Sequence, residues 1–382
     1  MSTTYNILIL GASYGSLLAA KLLLAGHHVQ LVCRAAGADL INTEGTRVRL
    51  PIQGREGLLE IDSRKCAGKL SATTPDKVNL RDFDLIGLAM QESQYSSPDV
   101  RALLADIAKM RVPCISIMNM PPPPYVARLP GVDVSKIRDA YTDATVWDGF
   151  DPAAMTLCSP DPQAFRPPEE KSNVLQVRLP TNFKAAPFES KEATQMLRNI
   201  EADIEAIRFD TGSGMIELPV KLKVHESIFV PLAKWSMLMT GNYRCIQKDG
   251  MRPIKDAVLD DVELSTSVYN WVGDLCRTMG AAESDLVPFM KYAAAANNLA
   301  NPSSAARALF GGAPNIERVD KLVQGIAAQR GLKHAAIDEI VALVDARLAA
   351  NRAAAETKAA LLAFPTRPQS ESAASSQNCS VR

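Results

Sequence analysis

The sequence predicts two parts: an α/β domain with a parallel sheet, followed by a domain built only of helices. In residues 1–210, short apolar runs alternate with helical patterns. This alternation is typical of a parallel sheet that helices cover on both faces. In residues 211–363 the apolar residues follow helical spacing. Residues 364–382 form a polar tail, which we expect to be disordered.

The strands of the first part are predicted from four apolar runs. The first two are "NILILG" and "HHVQLVCR", and residues 16–25 between them have the pattern of a helix. The next two are "DLIGLAM" and "VPCISIMN". Because each run is short and largely apolar, all four are expected in the buried interior of one sheet.

Later elements are predicted from breaks in these patterns. Residues 120–190 are rich in Pro, Asp and Thr, so we expect an irregular, insertion-rich segment with one strand at "NVLQVRLP". The "TGSG" at 211–214 is interpreted as a hinge between the two parts. Two helices of the second part are expected to end near Gly280 and Gly331.

Composition narrows the functional class. The 382 residues include 42 basic and 42 acidic side chains, and no block of like charge favours a nucleic acid or an anionic membrane. Four histidines and no CxxC pair argue against a metal site. Seven scattered cysteines are typical of reduced thiols, so we predict a cytoplasmic protein. A homodimer is compatible with the sequence but not specified by it.

The stretch "GASYGS" after the first predicted strand indicates a nucleotide-binding loop. Its context, with a strand before it and a helix after it, is that of a Rossmann-type fold. The usual spacing is GxGxxG, and here Ser13 and Ser16 stand where the second and third glycines are expected. We predict that Gly11, Ser13, Tyr14, Gly15 and Ser16 bind the cofactor. The alternative is that the glycines only allow close packing of strand and helix.

Arg34, at the end of the second predicted strand, favours NADP(H) over NAD(H). An NAD site usually has an acidic residue here for the ribose hydroxyls, whereas an arginine fork suits a 2′-phosphate. Asp39 is the competing candidate, and Arg34 could also be a solvated strand end.

Three stretches resemble the ketopantoate reductase family of two-domain hydroxyacid dehydrogenases. They are the opening strand, helix and strand, the fourth-strand motif, and the first long helix of the helical domain: "LGASYGSLLAAKLLLAGHHVQLVCR", "DFDLIGLAMQESQ" and "LAKWSMLMTGNY". The resemblance spans most of residues 5–350. It implies a Rossmann-type domain, a helical domain, and hydride transfer from NADPH to a 2-keto acid.

The resemblance also implies a catalytic group. Lys234 matches the family lysine whose ammonium supports the alkoxide and supplies its proton, a role that requires a positioned cation or acid. Asn119 and Asn242 match asparagines near the reacting groups. The plain alternatives are a polar-face lysine, a turn asparagine and a helix-capping asparagine.

The resemblance places Ser303, Ser304 and Glu317 at the substrate. A serine after a proline is also a common helix N-cap, which remains open for one of the two. We predict a small-molecule carbonyl substrate bound between the domains.

The sequence departs from the family pattern near the substrate. Gln91 replaces the lysine of the fourth-strand motif, although Gln94 is kept, and Gln91 is still expected at the cofactor. Leu238 replaces a common asparagine, and Met120 with prolines 121–124 replaces Gly-rich sequence. Ketopantoate itself is therefore a doubtful substrate.

Two other functions remain open. An opine-type dehydrogenase, which reduces imines, would use a histidine, and His225 opens the helical part. A non-catalytic NADP-binding regulator would keep the loop and Arg34 but need no acid. The retained Lys234 and Asn242 argue against the regulator.

Overall fold

The structure, a computed structural model, describes residues 3–363. The predicted disordered tail, 364–382, lies outside the described residues. The strands are β1 (Asn6–Leu10), β2 (His28–Val32), β3 (Arg47–Pro51), β4 (Leu58–Asp62), β5 (Leu70–Thr73), β6 (Leu85–Leu88), β7 (Cys114–Ile117), β8 (Met155–Ser159), β9 (Gln163–Phe165), β10 (Val174–Leu179), β11 (Phe183–Ala185), β12 (Phe209–Asp210), β13 (Met215–Ile216) and β14 (Leu222–Val224).

The helices alternate with strands in the first part and follow one another in the second. They are α1 (Gly15–Leu24), α2 (Ala35–Glu44), α3 (Pro98–Met110), α4 (Pro123–Val126), α5 (Lys191–Glu205), α6 (Lys234–Met237), α7 (Ile254–Leu259), α8 (Val262–Thr278), α9 (Phe289–Ala296), α10 (Ser304–Phe310), α11 (Val319–Ala328) and α12 (Ala335–Ala363). A π-helical turn, Leu238–Asn242, continues α6.

The main sheet has eight strands in the order β14-β11-β8-β7-β6-β1-β2-β5. The six strands from β8 to β5 are all parallel. Numbered among themselves along the chain, they have the order 3-2-1-4-5-6 of dinucleotide-binding sheets. Strand β11 pairs antiparallel with β8. The predicted α/β fold class is confirmed.

The centre of this sheet is buried on both sides. Every residue of β6 and β7 is buried, as expected for strands covered by helices on two faces. Within the described residues, the chain beyond Phe229 contains helices and turns and no named strand. The α/β part is thus followed by a helical part, as predicted.

The two parts share a hydrophobic core. One cluster of buried side chains runs from the sheet residue Leu8 through Trp147 and Trp235 to Leu348 on α12. A second cluster lies on the other face of the sheet, around α1, α2 and α5. The helical part therefore packs directly against one face of the sheet.

The structure adds elements that the sequence did not predict. A second sheet, β4-β3-β10-β9, contains the strand predicted at "NVLQVRLP", which is β10, together with three strands that were not predicted. The "TGSG" stretch forms the turn of the β12–β13 hairpin, with Thr211 N–H donating to Gly214 O at 3.1 Å. The main sheet extends to β14, beyond the expected boundary at residue 211. These strands are short and carry charged residues, which weakens their apolar signal.

None of the helices in the described part of the chain is both long and apolar enough to cross a membrane.

Candidate active site

The candidate site lies where the strand order of the main sheet reverses, between β1 and β6. Ligands of open parallel sheets bind at the carboxyl ends of the strands at this point. The loop from Gly11 to Tyr14 follows β1, Gln91 lies just after β6, and Asn119 just after β7. Lys234 comes to this edge from the helical part.

The two glycines of the loop allow its close packing. Gly11 has φ of +105°, and a Cβ there would lie 2.6 Å from the carbonyl oxygen of Ala89. A Cβ on Gly15 would lie 2.6 Å from Cγ2 of Ile9. The absence of a side chain at Gly11 lets the loop pass close to Ala89 and Met90 and turn into α1. The backbone N–H groups at the N-terminus of α1 fit the phosphates of a dinucleotide.

The polar side chains of the loop have different partners. The Ser16 hydroxyl is buried and donates to the carbonyl oxygen of Ala12 at 2.6 Å. The Ser13 side chain is exposed. Tyr14 donates from its hydroxyl to the carbonyl oxygen of Pro162 at 2.6 Å, so it reaches across to the segment after β8.

The end of β2 presents Arg34 at the position expected from the sequence. Arg34 is exposed and occupies the N-cap position of α2. Asp39 is also exposed, one turn further along α2. Both side chains are accessible to solvent at this edge of the sheet.

Lys234 is the first residue of α6, and its ammonium contacts the segment that follows β8 of the main sheet. Its Nζ donates to the carbonyl oxygen of Pro160 at 2.6 Å and lies 3.5 Å from Oδ1 of Asp161. Burial lowers the pKa of this lysine, and the charge of Asp161 opposes that shift. The ammonium is therefore a stronger acid than an exposed one.

Asp161 is a site residue that the sequence analysis missed. Its Oδ2 lies 3.0 Å from Nζ of Lys184, and it also accepts from the Ser159 hydroxyl. The charges of Lys234 and Lys184 lower the pKa of this carboxyl against the effect of burial, which raises it. In the sequence Asp161 stands between Pro160 and Pro162, in the segment expected to be irregular, so it gave no clear signal.

Asn119 and Glu317 meet in the same region. Nδ2 of Asn119 donates to Oε2 of Glu317 at 3.4 Å, whereas Oδ1 of Asn119 is buried without a hydrogen-bond partner in the described residues. Burial raises the pKa of Glu317 to about 7, and the hydrogen bond from Asn119 and the charge of Lys234 oppose the rise. Lys234, Asn119 and Glu317 thus form one cluster.

Glu92 was also missed by the sequence analysis, and it lies close enough to Glu317 for its charge to help raise the pKa of that residue. Glu92 is buried and accepts from the backbone N–H and the hydroxyl of Thr142, at 3.0 and 2.7 Å. Burial raises its pKa. Gln91 beside it is exposed, and its backbone N–H donates to Oε1 of Gln94 at 3.1 Å.

The π-helical turn affects where Asn242 lies. A π-helix turns by less per residue than the ~100° of an α-helix, which brings Asn242 towards the face that carries Lys234. The Asn242 carbonyl oxygen accepts from the Ser303 hydroxyl at 2.7 Å. Ser303 also accepts from the N–H of Ala306, as the N-cap of α10, whereas Ser304 is exposed.

His225 lies just after β14, and its surroundings differ from those of Lys234. Burial lowers the pKa of its imidazole, and the nearest charges are those of Lys184 and Glu201. Its backbone N–H donates to the carbonyl oxygen of Ala185 at 2.9 Å. Among the described residues there is no group of three or more His, Cys, Asp or Glu side chains that could bind a metal ion.

Comparison with solved structures identifies the fold. A protein from Ralstonia solanacearum assigned as a ketopantoate reductase has a TM-score of 0.62 and 16% identity, covering 91% of this chain and 99% of its own. A D-mandelate dehydrogenase solved with NADH and anilino(oxo)acetate has a TM-score of 0.59 and 14% identity, with coverage of 91% and 99%.

A dimeric ketopantoate reductase from Staphylococcus aureus has a TM-score of 0.54 and 10% identity, with coverage of 91% and 99%. No protein-family model matches this chain. No curated protein matches it either. The chain therefore has the two-domain fold of these oxidoreductases over nine tenths of its length.

Proposed function

We propose that this chain, which has the fold of ketopantoate reductases, is an NADPH-dependent reductase that transfers a hydride to the carbonyl of a small 2-keto acid or related compound. The observation that carries the proposal is the position of Lys234. Its half-buried ammonium contacts Pro160 and Asp161, and its charge acts on Glu317, which accepts a hydrogen bond from Asn119.

Lys234 is the proposed general acid. A carbonyl that accepts a hydride becomes an alkoxide, which needs a positive charge and a proton. Bound NADPH would supply the hydride. Pro160 and Asp161 engage two of the three N–H donors of the ammonium, which leaves the third for the substrate oxygen. Its lowered pKa favours release of that proton.

The neighbouring side chains are proposed to orient the reactants. The unpartnered Oδ1 of Asn119 can accept a hydrogen bond from a ligand. Glu317, with a pKa of about 7, can donate one to a substrate carboxylate while it is protonated. We propose that Asn242 and Ser304 contact the substrate and that Ser303 positions Asn242 through its carbonyl group.

The proposed reaction is tested by NADPH oxidation with a panel of 2-keto acids. Lys234→Ala should lower kcat by about 100- to 10,000-fold, the usual contribution of a general acid. NADPH binding should be unchanged. Lys191→Ala, at an exposed lysine on α5, is the control. Unchanged turnover in Lys234→Ala would remove the lysine from the mechanism.

The same assay separates the alternatives. An opine-type enzyme would need an amine together with the keto acid and would lose activity in His225→Ala. A regulator would bind NADPH and reduce no substrate of either class. Loss of activity in Lys234→Ala but not in His225→Ala supports the keto-acid reductase.

For the cofactor we propose NADPH, held by the Gly11 loop, Ser13, Tyr14, Gln91 and the exposed Arg34. The arginine fork would pair with the 2′-phosphate. In calorimetry the wild-type chain should prefer NADPH to NADH, and Arg34→Ala should abolish the preference. Equal affinity of the wild-type chain for both dinucleotides would exclude this assignment.

We also propose a homodimer, as described for the S. aureus protein of the same fold. Exposed apolar side chains on the helical part, Val262, Leu264 and Met290, are available for an interface. Sedimentation velocity tests this. A cytoplasmic location is proposed because the six cysteines of the described residues are free.

A further inference from the structure

The second sheet brings an arginine to the nucleotide loop. Arg166 directly follows β9, and its Nη2 donates a hydrogen bond of 3.1 Å to the carbonyl oxygen of Ala12. Ala12 is the residue after Gly11, and 154 residues separate it from Arg166 along the chain. The insertion that forms β9 and β10 therefore contacts the loop where we place the cofactor.

The same guanidinium lies near the end of β2. Burial raises the pKa of the Cys33 thiol, and the charge of Arg166 opposes this rise. Cys33 directly precedes Arg34. Arg166 is thus placed between the carboxyl ends of β1 and β2. In a sheet with this strand order, the phosphates and the adenosine ribose of a dinucleotide lie along this edge.

Arg166 is free to bind an anion there. The carbonyl oxygen of Ala12 also accepts from the Ser16 hydroxyl, so it keeps a hydrogen bond if the guanidinium turns away. Within residues 3–363 no carboxylate pairs with Arg166, and its side chain is exposed. The fork of N–H donors on a guanidinium matches the geometry of phosphate oxygens. Because no carboxylate engages them here, these donors are available to a phosphate.

We propose that Arg166 binds a phosphate of the dinucleotide, together with Arg34, as a second cationic contact supplied by the β9–β10 hairpin. This inference rests on the proposed function. The phosphate is either the 2′-phosphate, which only NADPH carries, or the pyrophosphate, which NADPH and NADH share.

The test is calorimetric titration of the full chain with NADPH and with NADH. Arg166→Ala should weaken NADPH binding by about 10- to 100-fold, as expected for a lost charge-assisted hydrogen bond. If NADH binding is unchanged, the contact is to the 2′-phosphate. If both weaken equally, it is to the pyrophosphate. Arg166→Gln keeps a donor for Ala12 without the charge and should weaken binding as much.

The matched control is Arg178→Ala, on the same hairpin. Its guanidinium lies over the Phe165 ring, 4.2 Å from the centroid, and its loss should leave both affinities unchanged. Wild-type affinities in Arg166→Ala and Arg166→Gln would overturn this inference alone. A wild-type chain that binds neither dinucleotide would overturn both this inference and the proposed function.

Discussion

Nδ2 of Asn119 lies 3.4 Å from Oε2 of Glu317, although 198 residues separate them along the chain. Asn119 follows β7 of the sheet, and Glu317 precedes α11 of the helical part. The hydrogen bond therefore joins the two parts inside the candidate site. The site exists only while these parts are packed together, so its side chains affect stability as well as reactivity.

Glu317 should make the stability of the protein fall as pH rises through the weakly acidic range. In the unfolded chain its carboxyl ionises near 4.5, and in the folded protein near 7. Between these values the folded state keeps a proton that the unfolded state has lost. The free energy of unfolding should therefore drop by up to about 3 kcal/mol from pH 4.5 to pH 7.

This prediction is checked by urea denaturation of the wild type and Glu317→Gln at several pH values. The variant has no carboxyl at this position, so it should gain stability relative to the wild type as the pH rises to 7. Glu169→Gln, at an exposed glutamate, should show no such trend. Parallel pH curves for wild type and Glu317→Gln would contradict the raised pKa.

Asp161 should set the alkaline limit of the reaction. Its carboxylate lies between Lys234 and Lys184 and favours the charged form of Lys234. In Asp161→Asn no carboxylate lies between the ammonium groups of Lys234 and Lys184, so the charge of Lys184 lowers the pKa of Lys234 without opposition from Asp161. The alkaline limb of kcat/KM against pH should then move down by about one unit or more.

Substitution of Lys184 should shift the pH profile in the opposite direction to substitution of Asp161. Its charge lowers the pKa of Lys234, so Lys184→Met should move the alkaline limb of the same profile to higher pH. A purely structural role for Asp161 would lower the rate in Asp161→Asn without moving the limb. An upward shift in Asp161→Asn would show that the carboxylate does not favour the charged form of Lys234.

Gly11→Ala should destabilise the nucleotide loop through a steric clash. The new Cβ would lie 2.6 Å from the carbonyl oxygen of Ala89, on a backbone with φ of +105°. We expect a loss of about 2–5 kcal/mol in the free energy of unfolding, from strain and overpacking together. Gly54→Ala is matched: its φ is +76°, but no atom lies within 4 Å of the Cβ. Equal losses in the two variants, measured by thermal denaturation, would argue against the clash.

Ser303→Ala should cost stability, whereas Ser304→Ala should not. The Ser303 hydroxyl caps α10 and donates to the Asn242 carbonyl oxygen. Its removal should lower the free energy of unfolding by about 1–2 kcal/mol. Ser304 is exposed at the first position of α10, so its variant should stay close to the wild type in urea denaturation. An opposite order of the two effects would assign the cap to Ser304.

Four strands of the main sheet, β1, β2, β6 and β7, could be predicted because their sequences record their burial. All residues of β6 and β7 are buried, and apart from Ser116 in β7 they are apolar or glycine. Strands β3 and β4 instead alternate buried residues with half-buried or exposed ones and carry arginine and glutamate on the open face. Strand β3 pairs with β4 on one side and on the other with β10, more than a hundred residues away, and no local pattern specifies that second pairing.

The side chains of the candidate site were predicted where their stretches of sequence resemble a known family pattern. Lys234, Asn119 and Glu317 were expected there, and the structure places them in one cluster. Asp161 and Arg166 were not expected, because an acid in a Pro-rich loop and an arginine after a short strand resemble ordinary surface residues. Their importance arises from the tertiary contacts with Lys234 and Ala12, which the linear sequence does not record.

The buried cluster that runs from Leu8 to Leu348 limits how the molecule can move. A hinge opening between the sheet and the helices would expose this cluster to water, at a cost of about 25 cal/mol for each Å² of apolar surface. Substrate entry should therefore depend on small loop movements at the sheet edge. Discrimination between substrates would then depend on how well each one fits a cleft whose shape stays fixed.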